Sequence, residues 1–298
     1  MGRTGIEVQT NPRTLLATAG RSGRAARARA LVLSGYGLNC EVETEHAFTL
    51  AGAKPVRVHI NDLVARRVAL SDFHILCFIG GFAWADDHGA GVILATKLRH
   101  HIGDDILEFV ARGGLVIGVC NGFQALVNLG LLPGFARGAF RREVALTYND
   151  SGTYRNQWVH MRVEPTPCVF TRGLERVDLP VRHAEGKFVA APETLARLES
   201  GKQVVLRYAL PDGTPAGGRF PWNPNGAMAD IAGICDPSGR IFGLMPHPEA
   251  YNHVTNHPDW TRWVRQADPE ARPALLAREG AGIAIFRNAV KDVEAALI

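Results

Sequence analysis

A chain of 298 residues with 46% apolar side chains can bury a sizeable core, as one large α/β domain or two small ones. Its 33 Lys and Arg against 29 Asp and Glu leave a formal charge of only +4, with much of the excess near the N-terminus, so no broad nucleic-acid footprint is expected. No apolar run approaches the roughly 18 residues of a membrane span, no secretory signal layout is present, and the five cysteines are odd in number and never form a C-x-x-C pair. These features exclude a membrane anchor, a disulfide framework and a zinc ribbon, and point to a soluble protein in a reducing cytoplasm.

In chain order, residues 1–29 carry Arg3, Arg13, Arg21, Arg24, Arg27 and Arg29 against a single acid, Glu7. That composition reads as a disordered leader ahead of one domain over 30–298. It is also the composition of an organelle transit peptide, but no amphipathic stripe accompanies it, and a flexible tail is the reading adopted. Short apolar runs then alternate with helical patterns. Strands are expected at 30–34, 54–60, 73–80 and 114–119, with helices near 41–52, 104–112 and 123–130. Strands separated by helices imply βαβ crossovers and a parallel sheet. After residue 140 the texture changes to "REVALTYND", "QWVHMRVEP", "KQVVLRYALPDG" and "ADIAGICDPSGRIFGLMP", which read as antiparallel strands and hairpins. An amphipathic helix over 277–297 closes the chain.

The chemistry concentrates where "GLVIGV" meets "FQALVNLG". Gly118-Val119-Cys120-Asn121-Gly122 has the form of a strand-to-helix elbow, with glycines relieving the crowding around a strained nucleophile. A thiol there faces the free N–H groups of a helix N-terminus, which stabilise negative charge. A lone cysteine ending a core strand would by itself read as a structural thiol; the strand before it and the helix after it favour the elbow. A base and an orienting group are then needed. Met245-Pro246-His247-Pro248-Glu249 ends another apolar run, and in extended chain His247 and Glu249 point to the same side, so the carboxylate can hold the imidazole in one tautomer. Gly80-Gly81, after the strand at 73–80, and the Asn121 N–H are candidate donors to an oxyanion.

Cys120, His247 and Glu249 in that order, behind a Gly-Gly strand end, resemble the class I (triad) glutamine amidotransferases. "GVCNGFQALVNLGLLPG", "RHAEGKF" (182–188), "GLNCEVETEHAF" (37–48), "NDSGTYRNQWV" (149–159) and the run at 222–250 narrow the resemblance to the glutaminase subunits of phosphoribosylformylglycinamidine synthase, over about 31–263. The resemblance implies an open, mostly parallel, flavodoxin-like α/β sheet flanked by helices, with antiparallel strand extensions. It also implies that Cys120 attacks the glutamine amide, that His247 acts as base then acid, and that Glu249 orients it. Gly81 and Phe82 would lend backbone donors, and Gly80, Gln124, His183 and Asn225 would lie with them around the substrate or oxyanion. Glu185 and the Asn223-Pro224-Asn225-Gly226 turn match family segments without individual roles.

Neither a G-x-x-x-x-G-K-[ST] loop nor a G-x-G-x-x-G fingerprint occurs, so no cofactor is expected on this chain. The resemblance places ATP and magnesium on a synthetase subunit, with a small accessory subunit as a further partner, and L-glutamine on this one. No metal is expected: His253 and His257 have i, i+4 spacing, but Asn256 and Pro258 read as loop and no third ligand accompanies them. Two other classes share parts of the pattern. A related cysteine hydrolase or peptidase would share Cys120 without "MPHPE", "NPNG" and "CNGFQ" together, and a binding-only subunit would be expected to lack one of the three triad residues.

Overall fold

The computed structural model describes residues 27–136 and 138–297. The leader expected over 1–29 lies outside them as far as residue 26; Arg29 already opens the first strand. The first half of the chain runs β1 (Arg29–Ser34), α1 (Glu41–Leu50), β2 (Lys54–His59), α2 (Ile60–Val64), β3 (Ile75–Phe78), α3 (Val92–Ala111), β4 (Leu115–Val119) and α4 (Asn121–Leu129). The second half runs β5 (Val144–Tyr148), β6 (Arg155–Val163), β7 (Arg176–His183), β8 (Glu185–Ala190), α5 (Pro192–Ser200), β9 (Val204–Ala209), β10 (Ile231–Cys235), β11 (Ile241–Leu244), α6 (Trp260–Gln266), α7 (Arg272–Leu276) and α8 (Ile283–Ala296).

Nine strands form one sheet in the order β2-β1-β3-β4-β11-β10-β9-β6-β7, and β5 pairs with β8 beside it. The pairings from β2 to β11 are parallel and those from β11 to β7 antiparallel, so a five-stranded parallel half of flavodoxin-like order continues into an antiparallel extension. Every residue of β3, β4 and β11 is buried, as expected for strands covered on both faces. Two helical layers cover them: α1 packs on α8, with Phe48 meeting Phe286 edge-on at 4.9 Å, and α3 packs on α4. Burying each of those phenylalanines contributes about 1.5–3 kcal/mol. No helix of the described residues is long and apolar enough to cross a membrane.

Among the elements that differ from the sequence expectations, three bear on how the site is framed. The helix expected near 104–112 begins at Val92, and its buried Leu94, Leu98, Ile102, Ile106 and Phe109 keep a helical spacing that the basic "LRHH" run and Gly103 disguise. The closing helix starts at Ile283 rather than 277. A Cβ on Gly280 or Gly282 would lie 2.3 Å from Tyr251 O or 2.0 Å from Pro248 O, so this stretch packs as a close-fitting turn. Strand β7 has no counterpart in those expectations: Pro180 sits inside it, between arginines that read as loop.

Candidate active site

The functional side chains converge at the C-terminal edge of the parallel strands, where open α/β sheets carry their ligands. Cys120 follows β4, Gly80 and Gly81 follow β3, His247 lies three residues beyond β11, and His183 ends β7. The connection from β4 to α4 has no spare residue, so Cys120 takes φ 51° and ψ −109°, outside the regions an L-residue prefers. The sharpness of this turn brings α4 against β3: a Cβ on Gly122 would lie 2.0 Å from Phe78 O. Gln124 N–H is the first in the helix to be taken, by Cys120 O at 3.0 Å, so the preceding N–H groups face the thiol's end of the helix. The Cys120 thiol is 4% exposed and donates to Arg182 O at 3.6 Å.

His247 and Glu249 meet as the sequence spacing suggests, although Glu249 arrives through a single 3-10 turn, Pro248–Ala250, instead of an extended chain. His247 Nδ1 lies 2.6 Å from Glu249 Oε1, both residues are buried, and the His247 N–H donates to Pro180 O. Burial opposes charge on this ring, but the Glu249 carboxylate and the Cys120 and Cys40 thiols beside it raise its pKa well above the ordinary histidine value. With Nδ1 held by the carboxylate, the buried Nε2 makes no hydrogen bond and is left to exchange a proton. Cys40 was not singled out in the sequence. It precedes α1, and burial raises the pKa of its thiol. Its sulfur, the His247 ring and the Glu249 carboxylate offer atoms all within 4.8 Å of one another. Two thiols therefore flank the imidazole, each at the start of a helix without a capping side chain, and what sets Cys120 apart is its strained backbone, φ 51° against −100° at Cys40.

The oxyanion side departs from expectation at one residue. Phe82 N–H donates to Gly37 O at 2.8 Å, which turns it away from the thiol, whereas Gly81 N–H has no acceptor among the described residues. Gly81 has φ 145°, and a Cβ there would lie 2.7 Å from Gly37 O and Leu38 Cα, so the loop at 36–38 and the strand end at 80–82 close only on a glycine. Beyond it the chain runs through Trp84, Ala85 and Asp86, all at φ between 53° and 57°. Asp86 accepts from Asn121 Nδ2 at 2.7 Å; burial pushes its carboxyl up to about 6, hydrogen bonds to it oppose the rise, and the charge of Glu185 adds to it.

That shift makes stability depend on pH. The unfolded carboxyl ionises near 3.8 and the folded one near 6, so the folded chain binds the extra proton. The penalty is absent below about pH 4, grows between the two values and is complete above 6. Asp86→Asn keeps an acceptor for Asn121 and suits a positive φ. It is expected to stabilise the chain at pH 7.5 by about 1 kcal/mol, after discounting for partial exposure, or roughly 2–4 °C in Tm, with the gain gone at pH 4. A Tm difference that is independent of pH would contradict this origin.

The remaining candidates form a buried polar floor behind the thiol. Gln124 donates Nε2 to Glu185 O and accepts from Asn121 Nδ2. His183 contacts Asn149 Oδ1 through Nδ1 at 3.0 Å, and Asn149 Nδ2 donates to Thr153 O and His183 O, so Oδ1 is the accepting end and Nδ1 carries the ring proton. Burial, with the charge of His247 added, pushes the His183 pKa down to about 3 and keeps the ring neutral. Asn225 donates to Gly186 O and the Tyr208 hydroxyl and accepts from Ala227 N–H, which leaves it no N–H to offer a substrate. It shapes the floor, as Asn223 does by bracing the same turn. Glu185 accepts from Ala90 N–H. His257 stacks on Trp263 at 4.3 Å and His253 contacts Thr255, so the two do not face a common centre.

A strand-ending cysteine elbow beside a His–Glu pair on this sheet defines a class, and comparison with known families agrees: the chain belongs to the CobB/CobQ-like glutamine amidotransferase domain family, whose profile matches residues 27–292. Within it the chain is similar to phosphoribosylformylglycinamidine synthase subunit PurQ of Methanococcus maripaludis strain S2, 43% identical over 267 residues that cover 88% of this chain and 96% of that protein. It is likewise similar to the subunit of that name from Dehalococcoides mccartyi, 44% identical over 267 residues that cover 89% and 98%. Among solved structures it is similar to PurLQS from Thermotoga maritima, with a TM-score of 0.65, 26% identity and coverage of 90% of this chain and all of that one. A glutamine amidotransferase from the same organism shares the fold, with a TM-score of 0.52 at 13% identity and coverage of 90% and 99%.

Proposed function

We propose that this chain is the glutaminase component of a phosphoribosylformylglycinamidine synthase, releasing ammonia from L-glutamine for a synthetase partner in de novo purine biosynthesis. The observation that carries the reading is the placement of the Cys120 elbow against a buried His247–Glu249 pair. In the mechanism that follows, Cys120 Sγ bonds to the side-chain carbonyl carbon of glutamine while His247 Nε2 takes the thiol proton. The oxygen's developing charge is met by the N–H groups of Gly81 and Asn121. Collapse of the adduct breaks the C–N bond, His247 returns the proton to nitrogen, and ammonia leaves a γ-glutamyl thioester. Water then attacks the thioester, giving its proton to His247, and glutamate departs as the thiol is restored. Glu249 holds the ring and stabilises its charged form throughout.

The similarity to PurLQS supports a synthetase subunit and a small accessory subunit as partners; acceptor activation, with ATP and magnesium, is assigned to the synthetase because this chain carries no nucleotide-binding motif. The leader reading is kept for residues 1–26 alone, since Ala28 is buried and Arg29 opens β1, and the protein is read as cytoplasmic, consistent with five free thiols. The experiment treats the chain, alone and with its synthetase, with a glutamine-derived electrophile and maps the label. Label on Cys120 with Cys40 untouched, together with glutamate release, is the expected result; preferential labelling of Cys40 would overturn the assignment of the nucleophile. Glu249→Gln preserves the shape of the pair but weakens the imidazolium. It is expected to lower kcat roughly ten- to a thousandfold, less than His247→Ala. A neutral Glu249→Gln beside an inactive His247→Ala would reduce the triad to a dyad.

A further inference from the structure

Asn121 is wholly buried, and its side chain bonds both its own helix and a distant loop. Oδ1 accepts from Ala83 N–H at 3.2 Å, and Nδ2 donates to Asp86 Oδ1 at 2.7 Å and to Gln124 Oε1 at 3.1 Å. Two of these three bonds end on the loop that follows Gly81. That loop is unfavourable in isolation: Trp84, Ala85 and Asp86 all have left-handed backbones, a conformation that crowds the Cβ of an L-residue. Such a conformation persists only where its surroundings over-determine it.

The surroundings are on both sides. On the outer side Phe82 N–H and Trp84 N–H donate to Gly37 O and Tyr36 O, and the Tyr36 and Trp84 rings meet at 5.1 Å. On the inner side, the contacts from the nucleophile's own helix are those of Asn121. The loop is thus held between the 36–37 turn, α3, whose Lys97 lies over the Trp84 ring at 5.7 Å, and one carboxamide from the elbow, with Gly81 N–H at its root.

We propose that the Asn121 side chain is a positioning residue. It clamps the loop at 83–86 to the nucleophile elbow and so holds Gly81 N–H where the oxyanion forms, a role separate from that of its own backbone N–H. The carboxamide suits the task because it presents an acceptor to the Ala83 N–H and a donor to Asp86 on two separate atoms; a carboxylate lacks the donor, an aliphatic side chain lacks both, and a hydroxyl has both functions only on a single atom. Its removal leaves a buried N–H and a carboxylate oxygen without partners, and the loop relaxes toward ordinary backbone angles. This inference rests on the glutaminase reading, since it concerns the donor that stabilises the acyl-transfer adduct.

The test uses the full chain assembled with its synthetase. For wild type, Asn121→Ala and Asn121→Ser, one measures kcat and KM for glutamine hydrolysis and the rate at which iodoacetamide alkylates Cys120, a reaction that develops no oxyanion. The clamp predicts a fall in kcat of roughly 10- to 100-fold, KM within about threefold of wild type, and unchanged alkylation. Full kcat in both variants, a rise in KM alone, or alkylation slowed in step with kcat would overturn it, the last because the thiol itself would have moved. Should Asn121→Ala fail to fold, Asp86→Ala removes the loop's half of one bond and leaves the helix untouched. It should lower kcat in the same direction with KM held, and a normal kcat there would count against the clamp. A wild-type chain that forms no γ-glutamyl thioester overturns the glutaminase reading. A wild-type chain that does, beside an Asn121→Ala chain of equal kcat, overturns the clamp alone.

Discussion

Cys120→Ala is expected to abolish glutamine-dependent activity, by roughly a thousandfold or more, while the assembled enzyme still uses an ammonium salt. Losing the nucleophile removes the covalent route entirely, and the neighbouring Cys40 does not replace it. Cys40 lies beside His247 and Glu249, its thiol held in the neutral form by burial, with no strained turn to present it. Folding should survive, because the thiol contributes little packing and alanine leaves the elbow's hydrogen bonds in place. Synthetase mixed with wild type or Cys120→Ala, and supplied with glutamine or ammonium in turn, gives four readings. Glutamine should serve only the wild type, and ammonium both. A mutant complex that assembles and fails with ammonium would show that Cys120 does more than release nitrogen; one that still hydrolyses glutamine would make Cys40 the nucleophile.

Gly122→Ala is expected to be nearly as damaging for a different reason. The added Cβ would lie 2.0 Å from Phe78 O and 2.8 Å from Phe78 Cβ, where a central strand cannot retreat because β3 is paired on both sides. Relief requires α4 to lift off the sheet, which overpacks one side and opens the other. A loss of about 3 kcal/mol, at the upper end of overpacking costs, corresponds to a Tm lowered by roughly 6–12 °C, or to insoluble protein. Because α4 carries Cys120 at its start, electrophile labelling should fall with stability. A Gly122→Ala chain with wild-type Tm and labelling would mean that the elbow is looser than its contacts indicate.

The parts of the site that could be read from the sequence are those whose geometry is local. Cys120 has its strand directly before it and its helix directly after, so the elbow is a property of adjacent residues. His247 and Glu249 are two residues apart, and any compact path between them leaves the imidazole and carboxylate within reach. What could not be read depends on partners distant in the chain. Cys40 reaches His247 only because β1 and β3 are neighbours in the sheet, which also brings the turn after β1 beside Gly80. The expected Phe82 donor is lost to Gly37 for the same reason. Asn225 carries the residue type of a ligand contact, yet the Gly186 carbonyl and the Tyr208 hydroxyl occupy it.

By itself the sequence determined the alternation of buried strands and amphipathic helices, the turn that carries Cys120, and the pairing of His247 with Glu249, because each depends on side-chain type at spacings of a few residues. Only the tertiary structure decided which N–H groups remain free for an oxyanion, which second thiol flanks the imidazole, and that one carboxamide ties the loop after Gly81 to the elbow. Backbone donors look alike in every sequence, and which of them has an acceptor is known only once distant segments are packed together.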